Sequence, residues 1–453
     1  MFIRKSFYVK YILHLKQVLT SIIDHNDLFT DILSMKKCLI AACLSLFAFS
    51  QILSGAEITV PNLDLVSRGK MEDGDFGIRS SIEAEIAISG GYKYGFSLGL
   101  GVEIPDLGKS LSYGRLDLPY AAGGHPSDAE YNIMIDEIND RLNNQATLSI
   151  RSLNATIREV FDKALEISFF IGHFDKLGSG DEFQEYFGTE PIGTSLRGFF
   201  YYTDGLNNDP FFRFNGSIHS VMGTGVGIKG IFGNIIPAFY IYHDLSFPKH
   251  QNNQGGSYQP GRYSTDAKVL INGENAKFEL IMGYTHANHD NNVLRGGALA
   301  WFGTGPLSFL MQTGISYYEI GTTMDIDNCY FLMEPRLRFD KFGANLTFFY
   351  HPVYYMNRVI WDDVNTAEKA RGRADINLRV FYGGIQKSAF ETGLEVLVNL
   401  KVQNGEEVKL WLSPFISTVT TGLQWDFALR FNPRFFWDKK DLMEGFIGIR
   451  TSY

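Results

Sequence analysis

The sequence predicts an all-β chain: a transmembrane antiparallel up-and-down β-barrel of about 18 strands, with about 16 and about 20 open. Three observations carry that expectation. Runs of about ten residues alternate between apolar and polar side chains, the length a tilted strand needs to cross a hydrocarbon layer. The polar face of these runs is dense in both Arg and Glu, as a water-filled interior would be. The apolar face repeatedly ends on aromatic residues, among them Tyr284, Tyr317, Tyr318, Phe349, Tyr354, Tyr355, Tyr382 and Trp425, where rings would meet lipid headgroups. A soluble sandwich also alternates, with its apolar face inward, but it accounts for neither of the last two features.

In chain order, residues 1–34 read as an upstream extension, because the chain begins again at Met35. Lys36 and Lys37 then precede an apolar run from Cys38 to Phe49, and Ser54-Gly55-Ala56 offers small residues where signal peptidase reads. Residues 35–56 are therefore expected to be a signal peptide, and 57–453 the barrel. A membrane anchor needs a longer run of about 20 residues. A lipobox ending at Cys43 would leave too short an apolar segment after Lys37. Cleavage after Ala56 leaves Cys329 alone, which excludes an intrachain disulfide and a CxxC zinc site. A soluble chain of 453 residues would split into domains, whereas a barrel absorbs length by adding strands. The formal charge of −9, with no long basic run, gives no support to nucleic-acid binding.

The insertion 104–145 does not read as wall. Ser127 to Glu130 has capping-box spacing, and Tyr131, Ile135, Ile138 and Leu142 then share a helical face; a strand through Tyr131, Ile133 and Ile135 is the alternative. The wall is clearest further on. Tyr263 to Ile271 and Ala276 to Tyr284 alternate around the turn Asn272–Asn275. Ala374, Ile376, Leu378, Val380 and Tyr382 oppose Asp375, Asn377 and Arg379, and similar runs cover 390–401, 408–416 and 423–431. Short turns (418–421, 340–342, 272–275, 232–234, 161–163) alternate with long polar segments (433–443, 357–371, 287–294, 247–262, 173–195). Such asymmetry puts the long set outside the cell. Roughly nineteen candidate strands start from Arg79 onward, but two periplasmic termini require an even number. Either 224–231 is a false strand or 57–66 is a missed one.

The last residues, Gly445 to Tyr453, place Ile447, Ile449, Thr451 and Tyr453 on one strand face. A chain stopping on Tyr453 resembles the C-terminal targeting signal of bacterial outer-membrane barrels. From about residue 79 the pattern resembles bacterial outer-membrane porins in general, on that terminal residue, the alternation and the loop asymmetry. The resemblance implies a Gram-negative-type outer membrane reached by a signal peptide, and contact with its lipid and with the barrel assembly machinery through the last strand. It implies passive diffusion of small hydrophilic solutes, no cofactor and no enzyme activity, and leaves self-association open. Glu185-Tyr186-Phe187-Gly188-Thr189-Glu190-Pro191 resembles the acidic constriction loop of general porins, without the order of its usual motif. Asp175, Asp181, Glu182, Glu185 and Glu190 are the constriction candidates. Pore-lining candidates are Arg336, Arg338, Arg373, Arg379, Arg430 and Arg450, with Glu334, Asp375, Glu391 and Glu395. An acidic loop against this basic wall would set a transverse field, and cross-strand pairing of the same charges is the plainer alternative. Lumen-side Trp411, Phe415 and Phe381 suit an aromatic slide or local packing.

Enzymes are the class to exclude. A His two residues before a nucleophilic Ser on one strand would signal a phospholipase, but Tyr284-Thr285-His286-Ala287-Asn288 has Asn at the Ser position, and Pro126 spoils His125-Pro126-Ser127 as a strand. His243 with Asp244, and His289 with Asp290, are adjacent residues whose side chains oppose. His286 and His289 lack a third metal ligand. A surface adhesin or receptor barrel with binding loops is the remaining alternative.

Overall fold

The computed structural model describes residues 56–72, 75–90, 92–104, 135, 138, 146–190, 192–195, 217–244, 262–287, 292–324, 326–351, 373–384, 389–401, 409–433 and 443–451. Glu57–Tyr453 form one compact unit. Its strands are β1 (Ala56–Glu72), β2 (Asp75–Gly90), β3 (Tyr94–Ile104), β4 (Thr147–Ile157), β5 (Leu165–Leu177) and β6 (His219–Gly230). They continue as β7 (Ile235–Asp244), β8 (Arg262–Asn272), β9 (Ala276–Ala287), β10 (Val293–Thr304), β11 (Leu307–Glu319) and β12 (Cys329–Arg338). The last six are β13 (Phe342–His351), β14 (Arg373–Gly384), β15 (Phe390–Lys401), β16 (Lys409–Thr420), β17 (Leu423–Phe431) and β18 (Met443–Thr451).

From β2 to β18 each strand pairs with its neighbour in sequence, and β1 pairs with β2 and with β18, where Asp64 lies opposite Arg450. The sheet is therefore a closed barrel of 18 strands with no free edge. Both segments in doubt are wall: 57–66 lies in β1, and 224–230 in β6. Connections at one rim are short and those at the other mostly longer, although at the long-loop rim residues 73–74 alone join β1 to β2 and 288–292 join β9 to β10. His173 to Leu177, expected in a long loop, belong to β5. The 104–145 insertion starts where β3 ends; Ile135 and Ile138 are helical, and the rest of it lies outside the described residues.

Burial runs opposite to that of a soluble protein. Leu280, Met282, Leu378, Val380, Leu394, Ile416, Phe427 and Leu429 point outward and are exposed. Asp266, Lys268, Glu279, Glu334, Asp375, Arg379, Glu395 and Asp426 point inward and are buried. The register follows from period two alone: Leu378 is 39 % exposed and Arg379, one residue on, 2 %. An apolar outside around a charged inside is the arrangement hydrocarbon solvent demands, since the closed ladder satisfies every strand's backbone internally. No described helix is long and apolar enough to cross a membrane. Phe349 departs from the sequence reading: it is buried on the inner face of β13 and joins the lumen cluster instead of a lipid girdle. Tyr354, Tyr355 and Tyr453 lie outside the described residues.

Candidate functional site: a chain insertion inside the barrel

After Leu177 the chain leaves the wall and turns into the lumen. Gly178 and Gly180 hold φ of 75° and 77°, the left-handed region that a side chain would strain. Their N–H groups converge on one carboxylate of β9: Gly178 donates to Glu279 Oε1 at 2.6 Å and Gly180 to Oε2 at 3.1 Å. Gln312 of β11 donates to the Gly178 carbonyl at 2.6 Å.

A short helix α1 (Glu182–Phe187) follows, ended by Gly188 in the left-handed conformation. Phe183 is its buried residue and joins Leu177, Ile192, Leu299 and Leu310 in an apolar cluster on the inner wall. Burying Phe183 and Ile192 fully contributes about 1.5–3 kcal/mol each. Two lysines hold the helix from the wall. Lys229 of β6 pairs with Glu182, its Nζ 5.3 Å from the Tyr186 ring centre and 5.7 Å from that of Phe174. Lys268 of β8 pairs with Glu182 and with Asp175, the latter at 2.6 Å. Tyr240 also donates to Asp175.

The next fixed segment sits on β12 and β13. Thr194 Oγ1 donates to Glu334 at 2.6 Å, and the Ser195 N–H does so at 3.0 Å. Arg336 donates to Glu334 at 2.7 Å and to the Gly193 carbonyl at 2.5 Å, while Asn345 reaches the Ser195 hydroxyl at 2.7 Å. Glu334 therefore serves as a receptor for insertion backbone and as a partner of Arg336.

The described part of the insertion leaves space beside it. A cavity of about 750 Å³ remains between it and the inner faces of β1–β6 and β18. Asp181, Glu182, Glu185 and Tyr186 line it from α1, and Glu83, Glu85, Arg151, Arg158 and Glu166 from the wall. Glu185 is reached by water yet closely enclosed. Burial holds its carboxyl above the ordinary range against the pull of Lys229, and the nearby Glu182, Asp175 and Glu166 add to the rise.

The predicted charges separate into groups. Asp175 is on the wall, and with Glu182 it is committed to lysines, not to the predicted arginines. Glu190 lies 3.9 Å from Arg338, both exposed. Arg379 pairs with Glu391 and Glu395 and lies 3.9 Å from the Phe415 ring centre. Arg450 bridges Asp426 at 3.0 Å and Asp64 at 3.7 Å. Arg430 stacks near Trp411 and Phe446, and Asp375 is buried on the inner face of β14. The Arg373 backbone pairs with His351 and Lys401, and its side chain lies outside what is described. Of the six arginines, Arg336 and Arg338 touch the insertion. His243 and Asp244 face opposite sides of β7, as their adjacency requires: Asp244 is buried and His243 stacks edge-on against Tyr263.

Sequence reasoning missed Lys229, Lys268, Glu279 and Gln312, whose roles depend on contacts across the lumen. It also missed Arg295, which holds Asp266 through two nitrogens at 2.7 and 2.9 Å. Arg151 and Arg158 had a readable signal. They lie against Gly101 and Gly95 on the inner face of β3, where a β-carbon would sit 2.5 and 3.1 Å from their nitrogens.

A closed barrel with an apolar exterior, a charged interior and a chain insertion in its lumen defines a porin-like β-barrel. Among solved structures it is similar to a mutant of Rh. blastica porin, at 10% identity over 88% of this chain and 100% of that one, with a TM-score of 0.41. It is likewise similar to OccAB4 of Acinetobacter baumannii, at 10% identity over 88% and 98%, with a TM-score of 0.48. No known protein family and no curated protein matches the chain. The fold rests on the closed strand ladder itself.

Proposed function

We propose that this protein is an outer-membrane channel through which small hydrophilic solutes diffuse passively, with the insertion as its constriction. The observation that carries the reading is the polar cavity left open beside an insertion fixed at its entry, helix and return. A barrel needs no such brace to close, and an insertion packed to fill the lumen would leave no lined cavity. Asp181 and Glu185 narrow the passage from one side, Arg151, Arg158 and Glu85 from the other. On this reading the chain reaches the membrane through its signal peptide, and its last strand engages the barrel assembly machinery. The reaction class is transport down a gradient, with no bond made or broken.

Conductance of refolded protein in a planar bilayer tests the proposal. Discrete ohmic steps are expected, together with entry of uncharged polyols into proteoliposomes. Folded barrels that give neither would overturn it in favour of a binding barrel.

A further inference from the structure

Two arrangements fix the charge that a solute meets in the cavity. The first concerns its cations. Arg151 lies along Gly101 and pairs with Glu83 at 3.5 Å; Arg158 lies along Gly95 and pairs with Glu166 at 3.2 Å. The bare inner face of β3 lets both guanidinium groups lie flat against the wall, each beside a carboxylate. Lys229 and Arg450 are paired as well, with Glu182 and with Asp426, and Lys176 of β5, which also lines the cavity together with His173, acts electrostatically on Asp64. The second arrangement concerns the carboxylates. Glu85 on β2, and Asp181 and Glu185 on and beside α1, line the cavity with no ion pair among the described residues. Asp181 and Glu185 are four positions apart and so share one side of the helix, while Glu85 comes from the wall. Between them the wall offers Ser97, Ser152, Asn154 and Thr156, groups suited to hydroxylated solutes.

We infer that the aperture selects hydrophilic solutes carrying an ammonium group, which pass between Glu85 on the wall and Asp181 and Glu185 on the insertion. The inference rests on the channel reading and names the substrate class of that site. Neutralised cations laid on the wall contribute little field, whereas unpaired carboxylates in a narrow polar cleft attract cations and repel anions. Each unit of solute charge should change the flux by roughly threefold at the separations of such a cleft.

The test compares three open-chain polyols of one size in proteoliposomes: N-methylglucamine as cation, sorbitol as neutral solute and gluconate as anion. The expected order is N-methylglucamine, then sorbitol, then gluconate. The cation-to-anion ratio should fall in Glu85→Gln and Glu185→Gln, and should fall further in Gly101→Ala, where the new β-carbon pushes Arg151 into the passage. Equal flux of the three solutes, or faster gluconate, in the wild-type protein overturns the inference and leaves the channel intact. A wild-type order that no variant alters also overturns it, because the charge would then act elsewhere. Exclusion of all three, sorbitol included, is a failure of the channel reading itself and takes this inference with it.

Discussion

Leu378→Arg is the sharpest probe of which face meets lipid. Leu378 stands sixth in the twelve residues of β14, opposite Leu346 and Val396, and is exposed on the outer wall. Twelve residues at ~3.3 Å each span about 40 Å, and a tilt of about 40° brings the height to about 30 Å, the thickness of a hydrocarbon core. The sixth residue therefore lies near the midplane, where an Arg should cost about 2–4 kcal/mol. The control is Ser97→Arg, an equal charge placed in the polar cavity, where water solvates it and the cost stays below about 1 kcal/mol. Reversible denaturation of both variants in phospholipid vesicles measures the difference. A lower denaturant midpoint is expected for Leu378→Arg alone, and a changed conductance for Ser97→Arg alone. Equal destabilisation of the two would refute the face assignment for the barrel.

Three further outcomes follow from single contacts. Arg379→Leu, which alternation alone would call harmless to folding, should cost about 3–5 kcal/mol because it leaves Glu391 and Glu395 buried without their cation; replacing both carboxylates by Gln as well should recover much of that loss in the same assay. Glu334→Ala removes the acceptor of Thr194, Ser195 and Arg336, so open-channel current noise should rise while heat-modified migration of the barrel is retained. Cation preference should weaken, as pH falls, at a higher pH than an ordinary Glu would set, because the raised Glu185 carboxyl takes its proton early; reversal potentials across a pH series should lose this step in Glu185→Gln.

The wall was legible because it obeys one local rule. Leu378 and Arg379 are assigned by parity, and so are all of β14 to β18. Parity fails where geometry interrupts it. The bulge between His173 and Asp175 breaks the alternation at the end of β5, so wall residues read as loop. Phe349 was misplaced because a ring on the inner face looks, in sequence, like a ring on the outer one. The insertion's fastenings were not legible for a different reason. Gly178 and Glu279 are 101 residues apart, and Ser195 and Glu334 139, so nothing local joins them. The lysine partners of Glu182 were not legible either: Lys229 and Lys268 come from β6 and β8, and a buried carboxylate takes a cation that can be desolvated with it.

The fastening points of the insertion also bear on the order in which the molecule can be built. Its described contacts reach β5, β6, β8, β9, β11, β12 and β13, through Glu166, Lys229, Lys268, Glu279, Gln312, Glu334 and Asn345. None of these described contacts reaches β1 or β18, the two terminal strands whose pairing closes the circle. The described fastenings thus all lie on one arc of the wall. The fastened part of the segment can settle onto that arc while the cylinder is still an open trough, and the terminal strands then join around it.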